Sequence, residues 1–163
     1  MPEELEARIR KLEDIEEIKN LQAKYAYTID TEQMERIPDL FADNFVAEYD
    51  VLGTYKTGPE LVEFLKAAAE RLPMMRHQML TPYIEVNGDK ATGTWYLFGP
   101  FTAVTTHGEV ANWIQGKYEN EFMRVGGKWK FSHLRFMFNF QSPYEDGWVK
   151  TPKMEVDESG SFR

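Results

Sequence analysis

From Met75 to Phe140 the apolar residues recur at every second position. The run is cut by Asn87-Gly88-Asp89 and by Gly126-Gly127, and more weakly by His107-Gly108. Alternation of this kind marks half-buried strands, and the glycine-bearing pairs suit tight hairpin turns that need positive φ. The pattern predicts four strands over 75–86, 90–106, 109–124 and 128–140. Antiparallel strands of this length must twist, and they usually bend. Between Phe131 and Leu134 the apolar phase slips by one position. That slip calls for a bulge or for burial on both faces.

The preceding residues have the helical period. Leu5, Ile9, Leu12, Ile15, Ile18, Leu21, Tyr25 and Ile29 fall in steps of three and four. They predict one apolar stripe along a helix over the first thirty residues. Pro2 suits its first position, and acids crowd its first turn. A second short helix is expected over 31–41, capped by Thr31 and disturbed by Pro38. Residues 44–51 read as a strand, and 53–56 as its short returning partner. Gly58-Pro59-Glu60 opens a further helix that Pro73 ends. Helices followed by a strongly curved sheet make an α+β plan. Residues 1–145 are expected to form a single domain, and 146–163 an extended C-terminal tail.

Composition narrows the function. The chain has 163 residues, and its net charge of −8 argues against a surface for nucleic acid. No apolar run approaches the roughly 20 residues that span a membrane. Cysteine is absent, so disulfides, thiolate nucleophiles and Cys–zinc sites cannot form. A reducing, cytoplasmic location fits. There is no GxGxxG, P-loop, GxSxG or HExxH motif, which weighs against nucleotide enzymes, α/β-hydrolases and zincins. The 11 Phe, 8 Tyr, 4 Trp and 8 Met can supply a core, an apolar pocket, or both. The three histidines have no metal-motif spacing, so no metal is expected.

His77 stands in Met74-Met-Arg-His-Gln-Met79, on a predicted strand face shared with Met75 and Met79. It is either a packed core residue or a general base, since imidazole titrates near neutrality unaided. His107 reads as an exposed turn residue, and His133 as a strand histidine beside Trp129 and Phe131. Asp30 follows the helical stripe. It is either exposed at a helix end or the carboxylate that fixes the tautomer of His77. Tyr25 and Tyr49 are either core residues or donors to a developing oxyanion. Tyr25 and Asp30 are five residues apart, so they converge only if the helix ends near Asp30. Trp95, Phe98, Trp113 and Phe138 are expected to line the cavity as substrate-binding walls. Arg135 joins them if it is paired inside the pocket rather than placed on the solvent face.

The helix 15–25 running into Asp30, Gly53-Thr-Tyr-Lys-Thr-Gly-Pro59, and His77 with Thr81-Pro82 follow one another in a familiar order. Thr92-Gly-Thr-Trp-Tyr96, Tyr118-Glu-Asn-Glu-Phe122 and Gly127-Lys-Trp-Lys-Phe-Ser132 complete the series. Together they resemble the SnoaL-like domains of the nuclear-transport-factor-2-like superfamily, which has a cystatin-like fold. Within it the chain resembles bile-acid 7α-dehydratase, hexachlorocyclohexane dehydrochlorinase and, more distantly, scytalone dehydratase. The resemblance implies a cone-shaped, curved antiparallel or mixed sheet packed around N-terminal helices and enclosing an apolar pocket. It also implies an Asp–His dyad at Asp30 and His77, with Tyr25 and Tyr49 in the site. One departure is Gly99-Pro100, where the bile-acid enzyme carries a further aspartate.

The resulting expectation is a cofactor-independent lyase, dehydratase-like, acting on a hydrophobic cyclic or aromatic molecule. A proton-shuttling isomerase of the same fold is the alternative within enzymes. A non-catalytic module resembling the small subunit of ring-hydroxylating dioxygenases is the alternative outside them. The resemblance also implies a homo-oligomer packed through the outer sheet face, a trimer in preference to a dimer.

Overall fold

In the computed structural model the described residues are 2–152. Helix α1 (Pro2–Asp30) leads into two short 3₁₀ turns, Met34–Arg36 and Pro38–Leu40. Strands β1 (Phe41–Tyr49) and β2 (Thr54–Tyr55) flank a further 3₁₀ turn, Asp50–Leu52. Helix α2 (Gly58–Arg71) follows. Strands β3 (Met74–Met75), β4 (Gln78–Asn87), β5 (Lys90–Thr105), β6 (Gly108–Val125) and β7 (Lys128–Pro143) complete the sheet. A single turn of helix, α3 (Gly147–Lys150), comes last.

The sheet runs β2-β1-β7-β6-β5, and both β3 and β4 pair with β5 at the edge. All pairings are antiparallel except β1 with β7, so the sheet is mixed. It remains open, with helices α1 and α2 over its concave face. The expected α+β architecture is the one found.

Local chemistry accounts for the deviations. The expected helix over 31–41 is replaced by 3₁₀ turns, because Glu32 takes a left-handed φ of 57° and Pro38 has no N–H to donate. Thr57 caps α2 by accepting the Glu60 N–H at 3.4 Å. The phase slip before Leu134 is a bulge: Glu121 faces His133, whereas Phe122 faces Phe131. A second bulge separates the pairs Gln115–Phe140 and Gly116–Phe138. The tail begins with helix α3, not extended chain, and Trp148 packs on Phe140 at 5.1 Å. Residues 153–163 of the expected tail lie outside the described residues.

Helix α1 does not carry one stripe. Ile18, Tyr25 and Ile29 are buried in the core, while Leu5, Ile9 and Leu12 are exposed. The arithmetic of an α-helix, about 100° per residue, explains the split. Each three-residue step loses about 60° of phase, and four such steps in a row carry the apolar side from Ile9 round to Leu21. The second half of α1 therefore faces the sheet, and the first half turns its apolar side elsewhere.

The helix is fastened at its middle. Asp14 accepts a hydrogen bond from Arg124 Nη2 at 2.5 Å and one from Trp129 Nε1 at 3.0 Å. The Arg124 guanidinium also lies over the Trp129 ring.

Candidate active site

The expected continuous strand over 75–86 is broken at Arg76 and His77, which belong to neither β3 nor β4. Gly99 on β5 allows the break. A Cβ there would come within 1.9 Å of the Arg76 carbonyl oxygen. Only a residue without a side chain permits that close approach. The break turns the His77 backbone N–H and its ring toward the end of α1.

Asp30, the last residue of α1, meets both groups. Its Oδ2 accepts the His77 backbone N–H at 2.8 Å, and its Oδ1 lies 2.5 Å from His77 Nδ1. Side-chain exposures are 8% for His77 and 11% for Asp30, so water barely competes. An ionised carboxylate only accepts, so Nδ1 carries the proton and Nε2 is left as a lone pair. The Phe101 ring stands edge-on to the imidazole at 5.3 Å.

His77 looks into a hollow of about 70 Å³ between α1, α2 and the concave sheet. Its walls are aliphatic and aromatic, and three phenols interrupt them: Tyr25, Tyr49 and Tyr118. The Tyr25 and Tyr49 hydroxyls share a hydrogen bond of 2.7 Å. Tyr25 also couples to Tyr118, whose ring stands edge-on to it at 6.2 Å. Burial pushes all three phenols well above their usual range; for Tyr25 the neighbouring Tyr49 and Tyr118 add to the effect, whereas for Tyr49 and Tyr118 the hydrogen bond with Tyr25 opposes it in part. They are held protonated and act as hydrogen-bond donors.

The structure thus brings Tyr25, Asp30, Tyr49 and His77 together, and Phe138 lies in the pocket wall. The other expected wall residues lie elsewhere. Trp95 is on the inner face but packs against Phe122 at 6.0 Å, over Gly93, in the core beyond the hollow. Phe98 and Trp113 stack on each other at 5.2 Å on the outer face of the sheet, because inward positions on β5 are the odd residues and on β6 the even ones. Arg135 is on the same outer face, 3.6 Å from Glu48 and 3.9 Å from Glu119. The bulge before Leu134 sets that phase. His133 lies beside Glu48 at 3.4 Å, and His107 is exposed in the β5–β6 turn. Tyr118 is the site phenol that sequence reasoning missed. Its signal was alternation with Asn120 and Phe122 on β6.

The whole arrangement sets an imidazole and three phenols around an apolar hollow, on a concave sheet roofed by helices. A family model for the SnoaL-like domain matches residues 10–135, and the chain belongs to that family. Solved structures agree in fold. A LinA-type3 hexachlorocyclohexane dehydrochlorinase from Novosphingobium barchaimii has a TM-score of 0.75 at 22% identity, over 83% of this chain and 93% of that one. A candidate scytalone dehydratase from Novosphingobium aromaticivorans has a TM-score of 0.72 at 16% identity, over 82% and 89%. A Mycobacterium tuberculosis protein of unknown function reaches 26% identity and a TM-score of 0.67, over 80% and 75%.

Proposed function

We propose that the chain is a cofactor-independent lyase that removes water from a hydrophobic cyclic or aromatic alcohol. The carrying observation is the two-point contact of Asp30 with His77 at the wall of an apolar hollow that also holds three phenols. His77 Nε2 takes a proton from carbon. The C–H electron pair becomes the new double bond, and the C–O bond breaks with its own pair. The Tyr25–Tyr49–Tyr118 group donates hydrogen bonds to the departing oxygen and keeps its protons. The imidazolium passes the proton it took from carbon to the departing hydroxide, which leaves as water, so His77 is neutral again and the site is restored. Asp30 orients the ring and stabilises the imidazolium. The apolar walls strengthen every one of these hydrogen bonds by excluding water.

The hollow favours a neutral guest, since among the described residues that line it none but His77, with Asp30 behind it, belongs to an ion pair. It is smaller than the roughly 150 Å³ that holds a benzene ring. A ring therefore enters oxygen-first and extends into the mouth. Dehydrohalogenation would use the same parts with halide leaving in place of water. A cytoplasmic, homo-oligomeric enzyme is part of this reading, which the absence of cysteine suits.

The test is a screen of cyclic and aromatic alcohols by mass spectrometry, with His77→Ala and Asp30→Asn as controls. Loss of one water from a substrate, abolished in both variants, supports the lyase. A product of unchanged mass makes the enzyme an isomerase. Turnover that survives both substitutions removes the proposal.

A further inference from the structure

The first half of α1 carries an apolar face that its own domain does not use. Leu5, Ile9 and Leu12 are 56%, 46% and 66% exposed. At about 100° per residue they fall within an arc of roughly 60°. Ala7, Arg10 and Asp14 lie on the opposite side of the helix and border the cleft against the β4–β5 hairpin, near Asp89 and Arg124. The clamp of Asp14 on Arg124 and Trp129 holds that orientation, so the apolar face points away from the domain. The arm lies mostly ahead of residue 10, where the family match begins.

We infer that this arm pairs with the same arm of a second copy as a short parallel coiled coil. The spacing of Leu5, Ile9 and Leu12 is that of successive d, a and d positions of a heptad. A β-branched residue at a with leucine at d is the combination that favours two parallel strands. The charges choose the direction. In the parallel arrangement Arg8 at g faces Glu13 at e of the next heptad on the partner arm, twice by symmetry. In an antiparallel arrangement e faces e and g faces g, so either Glu6 would face Glu13 or, in the register with Ile9 against Leu5, Glu6 would face Glu6 and Arg8 would face Arg8; like charges would meet in both. The arm continues a helix already anchored in the core, so pairing bears no cost of helix nucleation.

The chain has no cysteine, so single cysteines report the contact cleanly. Leu5→Cys and Leu12→Cys proteins, one carrying a size tag, are oxidised separately and mixed with copper phenanthroline. Each variant is expected to link to itself, and the 5-to-12 hybrid to stay at background. Light scattering of the wild type should give twice the 19.1 kDa chain mass in the micromolar range. Arg8→Glu should weaken association about tenfold, and Arg8→Glu with Glu13→Arg should restore it. A predominant 5-to-12 link, a monomeric wild type, or an assembly whose mass ignores Leu5→Glu with Leu12→Glu each overturns the inference. The melting curve by circular dichroism checks that the domain of every variant is folded.

Discussion

One carboxylate holds His77 at two points: Asp30 Oδ2 binds its backbone N–H at 2.8 Å, and Oδ1 meets its ring Nδ1 at 2.5 Å. Position and tautomer of the imidazole thus depend on a single residue. Asp30→Asn replaces one acceptor oxygen with an NH₂ donor, which cannot accept both protons. With an alcohol from the screen as substrate, kcat is expected to fall by about 10²–10⁴-fold, with a much smaller change in KM. Steady-state kinetics across the substitution checks this. Asp30→Ala should in addition lower stability by about 1–3 kcal/mol, because the buried His77 N–H loses its partner.

Gly99 supports His77 without touching the reaction. Gly99→Ala places a methyl where the Arg76 carbonyl stands. Either the Arg76–His77 segment or strand β5 must shift. A stability loss of about 1–3 kcal/mol in urea unfolding is expected, together with reduced turnover. Unchanged stability and rate would show that the strand break does not depend on this glycine.

The three site phenols should resist alkali. Burial, foremost, raises Tyr25, Tyr49 and Tyr118, so the folded protein keeps their protons well above pH 10. A group with a raised folded pKa stabilises fully below its unfolded value and loses that contribution as pH climbs through the folded one. Among the 8 tyrosines, these three should ionise only as the protein unfolds. Ultraviolet difference titration followed alongside circular dichroism checks it. Tyr25→Phe should cost about 1 kcal/mol or more, since it strips the Tyr49 hydroxyl of its partner.

The acid side has a different weak point. Burial alone would raise Asp14, but its hydrogen bonds from Arg124 and Trp129 outweigh that and hold its carboxyl below the ordinary 3.8. A depressed folded pKa contributes stability above the unfolded value and loses it as pH falls through the folded one. Asp14→Asn should therefore flatten the fall of stability below about pH 4 while lowering stability at neutrality. Urea unfolding at several pH values provides the comparison.

The hairpins and the strand spans were legible because period-two alternation and the glycine turns speak to the same register. The bulge before Leu134 was legible as a phase slip. Its consequence for Arg135 was not, because one inserted residue sends every later side chain to the other face. Phe98 and Trp113 misled because both faces of β5 and β6 bear aromatics, so alternation alone does not say which row faces in. The helical stripe misled because a run of three-residue steps was read as one face. Asp30 and His77 lie 47 positions apart, and their meeting rests on a strand break that only Gly99 hints at.

Among the polar tethers of helix α1, Asp14 holds it to Arg124 near its middle and Asp30 holds it to His77 at its end. Sixteen residue steps of helix separate these two tethers, a rod of about 24 Å. Such a rod has little freedom to bow or slide, so the wall that carries Tyr25 and Ile29 behaves as the fixed jaw of a vice. Admission of a bulky guest then falls to the opposing jaw, where Leu52 and Leu72 line the hollow. Variants that tighten or loosen that second jaw are the place to look for altered substrate size without harm to the chemistry.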